Sequence, residues 1–172
     1  GTLNQANRVY VLTQNVISAG NCFQITANNI TLDCAGHEIN YSYSNQVARG
    51  IDILGANFTT IKSCYIKEGS ALAISRHAIY SEKGVNGTFV NNTIVTLGNF
   101  SRAILLQASA ENLISNNTIT TFGFAGEGIT FTQASDNSII AGNNITTNGV
   151  SANGIFINGA RNVFRDNRIF IR

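Results

Sequence analysis

The chain contains no proline, methionine or tryptophan, and only 12% of its 172 residues are charged. Helix-favouring glutamate, lysine and leucine are scarce while Asn, Thr, Ser, Ile and Gly dominate, which points away from helices and towards strands and turns. A formal net charge of +2 is too small to hold a nucleic acid or an anionic membrane as a partner. No run of about 18 apolar residues is present to cross a membrane as a helix. No basic-then-apolar leader opens the sequence, so Gly1 is expected to follow a removed signal or to be the plain start of the chain. Three cysteines, Cys22, Cys34 and Cys64, make an odd count without the close spacing of a metal site.

What the sequence does contain is a repeat. FVNNTIVTLG (89–98), ISNNTITTFG (114–123) and IAGNNITTNG (140–149) recur with a period near 26, which signals stacked supersecondary units. An opening strand aligns as CFQI (22–25), GIDI (50–53), AIYS (78–81), AILL (103–106), GITF (128–131) and GIFI (154–157). A second apolar anchor follows at Cys34, Ile61, Phe89, Ile114, Ile140 and Phe164. Three residues on stand His37, Cys64, Asn92, Asn117, Asn143 and Asn167, then Ile39, Ile66, Ile94, Ile119, Ile145 and Ile169.

Apolar and polar residues alternate within each strand, as in Ile51-Asp52-Ile53, the period of a strand with one buried face. Gly and Asn turns leave no room for helical linkers. The pattern predicts an all-β, right-handed, single-stranded parallel β-helix: about six coils of roughly 24–28 residues, each with three short strands paired to their equivalents in the next coil. Residues 1–172 form a single such domain, with 1–21 as a first partial coil. A globular sandwich is the competing reading, but it needs no identical residue at one turn of every repeat.

The turn between the second and third strands requires a residue in the left-handed region, which Asn reaches more cheaply than any residue but Gly. Stacked in register, Asn92, Asn117, Asn143 and Asn167 are expected to form a structural amide ladder, with Asn91 and Asn116 pointing outward. On these residues the sequence resembles the pectate-lyase-like right-handed β-helix superfamily. NNITLDCAGHEI (28–39) is similar to the opening-coil motif of secreted archaeal and bacterial β-helix repeat proteins, and the NNTI units are similar to their later coils. The resemblance implies the fold. It leaves activity open, because the superfamily includes lyases, hydrolases, binding modules and architectural proteins.

Lyases and hydrolases on such a fold need clustered acids on one outer sheet. Here the outward position of the opening strand reads Gln24, Asp52, Tyr80, Leu105, Thr130 and Phe156, with one carboxylate among neutral groups. The paired aspartates and Gly-His-Gly of the superfamily's pectin hydrolases are absent. Glu111, Asp136 and Arg161 each precede a repeat Asn and are expected to stack, Asp136 pairing with Arg161 on a solvated ridge. His37, Cys34 and Cys64 lack the spacing of a zinc motif. No catalytic residue, metal site or cofactor is therefore assigned, and the reading leans away from an enzyme. Cys22 and Cys34, flanking one coil, are the candidate disulfide in an oxidising compartment.

Eight Asn fit the N-x-S/T acceptor pattern: Asn29, Asn40, Asn57, Asn86, Asn91, Asn99, Asn116 and Asn144. The ends read as bare strand, RVYVLTQNVI (8–17) and RIFIR (168–172), where solenoids usually carry caps. Val9, Val11, Ile169 and Ile171 are thus candidates for an end-to-end interface giving an open filament. The expectation is a non-enzymatic, extracellular or cell-surface β-solenoid subunit that self-associates head to tail. The alternative is a polysaccharide-binding or -processing module using Tyr41, Tyr43, Tyr65 and Tyr80 to stack on sugars.

Overall fold

The computed structural model describes residues 1–44, 47–72 and 74–172. Among these the chain winds through three parallel sheets of seven strands each. The first sheet holds Thr2–Leu3, Phe23–Ile25, Arg49–Leu54, His77–Glu82, Ile104–Gln107, Ile129–Thr132 and Ile155–Ile157. The second holds Val9–Val11, Thr31–Asp33, Thr60–Lys62, Thr88–Val90, Leu113–Ser115, Ile139–Ala141 and Val163–Arg165. The third holds Val16–Ile17, Glu38–Tyr41, Tyr65–Glu68, Thr93–Thr96, Thr118–Thr121, Asn144–Thr147 and Arg168–Ile171. Every pairing is parallel, each strand meeting its equivalent one coil away, as the repeat requires.

Inward-facing columns from all three sheets build the core. Phe23, Ile51, Ile79, Ile104, Ile129 and Ile155 are partners in the first sheet. Ile39, Ile66, Ile94, Ile119, Ile145 and Ile169 run down the third. Most of these side chains are fully buried, and each buried aliphatic contributes about 1.5–3 kcal/mol relative to exposure. Isoleucine suits the position because its branched Cβ fills the space between coils stacked about 4.8 Å apart.

The second sheet corrects the expected register. Its core column is Tyr10, Leu32, Ile61, Phe89, Ile114, Ile140 and Phe164, with Leu32 in the place given to Cys34. Asp33 pairs with Lys62 and Glu38 with Tyr65, so four residues turn this corner in one coil against two in the next. The wider turn swings Cys34 inward onto Cys64, with Cα atoms 4.7 Å apart, and these two form the disulfide. The Cys22–Cys34 bridge expected from the sequence is overturned. Cys22 is free and buried, and burial pushes its thiol up to about 11.

Three corners join the sheets. At the second, between the second and third sheets, the left-handed residues are Asn91 and Asn116, not the ladder residues after them. Gly142 takes the same conformation one coil on, at φ 66°. The ladder itself stands as expected. Asn92 donates from Nδ2 to Asn117 Oδ1 at 3.0 Å, Asn117 to Asn143 at 2.9 Å, and Asn143 to Asn167 at 2.9 Å. Each of these oxygens also accepts the backbone N–H of the ladder residue before it, and Cys64 N–H donates into Asn92 Oδ1. A second ladder, not foreseen, lines the first corner, where Gly87 N–H meets Asn112 Oδ1, Asn112 N–H meets Ser138 Oγ, and Ser138 N–H meets Asn162 Oδ1.

Candidate functional site

Two polar assemblies stand out, one on the outer face of the first sheet and one inside the third corner, where each coil passes from the third sheet to the first. On the outer face the column Gln24, Asp52, Tyr80, Leu105, Thr130, Phe156 is in register as expected. Flanking it are Arg49, its strand partner His77, and then Arg102 and Glu127 at the starts of the following coils.

Most ionic groups of this face satisfy one another; Glu82, at the end of its strand, reaches only Lys83 at 4.0 Å. Arg49 Nη1 lies 2.7 Å from Asp52 Oδ1, and its guanidinium caps the Tyr80 ring at 3.6 Å from the centroid. Arg102 Nε lies 2.6 Å from Glu127 Oε2, which also accepts from Thr130 Oγ1 at 2.8 Å. His77 Nδ1 accepts the Arg102 backbone N–H at 3.2 Å. Burial, with Arg102 and Arg49 beside it, lowers the imidazole to about 3 and keeps it neutral. Tyr80 donates from its hydroxyl to Gln107 Oε1 at 3.0 Å. Asp52 and Glu127 are each matched to an arginine and belong to coils three steps apart, roughly 14 Å along the axis. They do not form the close carboxylate pair of a glycosidase.

Inside the third corner Glu68 and Arg76 form a wholly buried ion pair, Nε to Oε1 2.9 Å. Glu68 Oε2 accepts the Leu97 and Gly98 N–H groups at 2.6 and 3.0 Å, and Oε1 accepts Ser101 Oγ at 3.1 Å. Arg76 Nη1 donates to the Ser42 carbonyl and hydroxyl, and Nη2 to the Ser70 carbonyl. Burial raises the Glu68 carboxyl, against the pull of the Gly98 and Leu97 amides and of Arg76. Three corner loops, at residue 42, at residues 70 and 76, and at 97–101, thus converge on one pair. Sequence reasoning missed it. The available signal was the longer segment after Glu68, where residues 69–76 occupy a corner that 97–101 spans in the next coil.

The remaining candidates scatter. Asp136 pairs with Arg161 at 3.3 Å on the surface. Glu111 does not stack on Asp136, however. The left-handed positions Glu111, Asn137 and Arg161 align, so Asp136 stands one place earlier. Tyr41 is fully buried and Tyr80 nearly so, which removes two of the four tyrosines from any sugar platform; Tyr43 is exposed and Tyr65 half-buried. Of the acceptor-pattern asparagines, Asn29, Asn91, Asn99, Asn116 and Asn144 are exposed while Asn40, Asn57 and Asn86 are half-buried. Asn40 Nδ2 is held by Glu38 and Asn57 Oδ1 by the Val85 N–H. Val9 and Val11 are exposed on either side of the core-facing Tyr10, and Ile169 lies in the aliphatic column of the third sheet, next to the exposed Ile171.

Among the described residues no group of three or more His, Cys, Asp or Glu is placed to hold a metal ion, and no helix is long and apolar enough to cross a membrane. A family profile described as a right-handed beta helix region matches residues 49–170. No curated protein and no solved structure matches the chain.

Proposed function

Since the chain belongs to the right-handed β-helix family, we propose that it acts as a non-enzymatic, extracellular β-solenoid, a structural subunit of a cell surface or filament. The observation that carries this reading is the mutual pairing of the charged groups at the centre of the outer face of the first sheet. Asp52, in the outward column, and Glu127, beside it, are tied to Arg49 and Arg102, His77 is held neutral, and Tyr80 lies under a guanidinium. Such groups fix coil against coil and are themselves engaged, which leaves Phe156 and Glu82 as the open positions of this face. The Cys34–Cys64 bridge supports an oxidising, extracellular setting.

Assembly in this reading is head to tail. The outermost strands Thr2–Leu3, Val9–Val11 and Val16–Ile17 pair with Ile155–Ile157, Val163–Arg165 and Arg168–Ile171 of a second copy, in the same sheet order. That contact is heterologous and does not close, so it propagates as a fibre. Electron microscopy of the purified chain is expected to show rods longer than the roughly 30 Å of one molecule. A glycan array and a uronide-cleavage assay with Ca²⁺ are expected to be silent. Dispersed monomers at high concentration, together with a glycan hit, would overturn the proposal in favour of a polysaccharide-binding or -processing module.

A further inference from the structure

The loops of the third corner carry large apolar side chains into solvent. Leu72 is 82% exposed and Val150 75%, and Ile74, Phe100, Phe122 and Phe124 are also exposed. They lie on successive coils: Ser75 N–H donates to the Asn99 carbonyl, Phe100 N–H to that of Phe124, and Ala125 N–H to that of Val150. The loops therefore superpose, and their side chains form one ridge about 14 Å long on one edge of the rod. The superposition is enforced at Gly123 and Gly149, where a Cβ would overlap the carbonyl oxygen of Gly98 and Gly123 in the coil before.

Exposed apolar surface of this extent on a solvated protein marks a contact site. The ridge is convex, made of side-chain tips on projecting loops rather than of a cleft. Phe100 and Phe124 meet edge to face at 81° with centroids 5.4 Å apart, so they offer no common plane for stacking a sugar ring. A bilayer requires neither a shared ring plane nor a complementary groove; it needs apolar tips that sink about 5–10 Å into the headgroup–acyl boundary. Charge narrows the lipid class. Segments 69–76, 97–103, 122–128 and 148–154 contain three charged residues, Arg76, Arg102 and Glu127; Arg76 is buried against Glu68, and the other two are paired with each other at 2.6 Å.

We propose that this ridge is a membrane-docking edge that seats the rod lengthwise on a neutral, zwitterionic lipid surface. The contact runs along the side of the solenoid and is independent of any end-to-end assembly. The chain has no tryptophan, so Phe124→Trp supplies a single fluorescent reporter at the ridge. With phosphatidylcholine vesicles its emission is expected to shift to the blue and the protein to float with the vesicles, unchanged by high salt or by added anionic lipid. A Phe100→Ser/Phe124→Ser double variant, shown to be folded by its unchanged unfolding midpoint, is expected to partition at least tenfold less. A wild-type chain that stays in the aqueous fraction, or a double variant that floats equally well, overturns the proposal. So does a concentration-dependent dimer abolished by the double variant, which would assign the ridge to a second copy of the chain.

Discussion

Glu68 and Arg76 face each other at 2.9 Å with no exposed side-chain surface on either partner. Removing one partner of a fully buried pair leaves an uncompensated charge in a dry interior and costs about 3–5 kcal/mol, whereas removing both removes that penalty. Glu68→Gln and Arg76→Met are each expected to destabilise on that scale by urea unfolding. The double variant should lose clearly less than the sum of the two. Strict additivity would show that the pair does not act as a unit.

The amide ladder should respond according to position. Asn117 gives and receives along the column and also donates to the Phe89 carbonyl. Asn117→Ala strands several buried groups and is expected to cost about 2–4 kcal/mol. Asn167 accepts from Asn143 and donates to the Ile140 carbonyl at a partly exposed site, so Asn167→Ala should cost about 1 kcal/mol. Equal losses, measured as shifts in urea midpoint, would count against a continuous column.

Reduction tests the bridge. Cys34 and Cys64 are 30 residues apart in sequence, and closing a loop of that size stabilises by about 3–4 kcal/mol on chain-entropy grounds. Dithiothreitol should lower the unfolding midpoint of the wild-type chain and of Cys22→Ser alike, but not that of Cys34→Ser. Thiol titration in denaturant should find one reactive thiol before reduction and three after; three beforehand would exclude the bridge.

His77 makes stability depend on pH. Its imidazole sits at about 3 in the folded chain against about 6.5 when unfolded. Between those values the unfolded chain binds the extra proton, so stability falls as the pH is lowered, by up to about 1.4 kcal/mol per pH unit. The stabilisation is fully present above pH 6.5 and lost progressively towards pH 3. His77→Gln should flatten this part of the profile. A wild-type unfolding temperature unchanged from pH 7 to pH 4 would contradict the buried, neutral ring.

The architecture was legible because a solenoid writes its contacts as a period. Ile94, Ile119 and Ile145 recur at the spacing that makes them neighbours, and Asn92, Asn117 and Asn143 with them, so sequence alignment and spatial adjacency coincide. Legibility failed where coil length changes. Two extra residues at one corner moved Cys34 out of its assumed column and hid its partner. The longer segment after Glu68 concealed a pairing with Arg76 that no repeat unit predicts. Burial was also hidden at Tyr41 and Tyr80: alternation gives the direction of a side chain, but not whether a loop or an arginine covers it. The exposed ridge escaped for a related reason, since Phe100 and Phe124 occur in segments whose apolar residues have no strand periodicity.

The Asn92–Asn117–Asn143–Asn167 string has one more consequence, because it is a vector. Asn92, Asn117 and Asn143 each donate to the amide of the coil that follows, so the string runs in one sense along the axis. A further coil, whatever supplies it, can continue the string only in that sense. Joining two rods in opposite senses would set donor against donor or acceptor against acceptor, so any fibre grown through these columns carries an arrow.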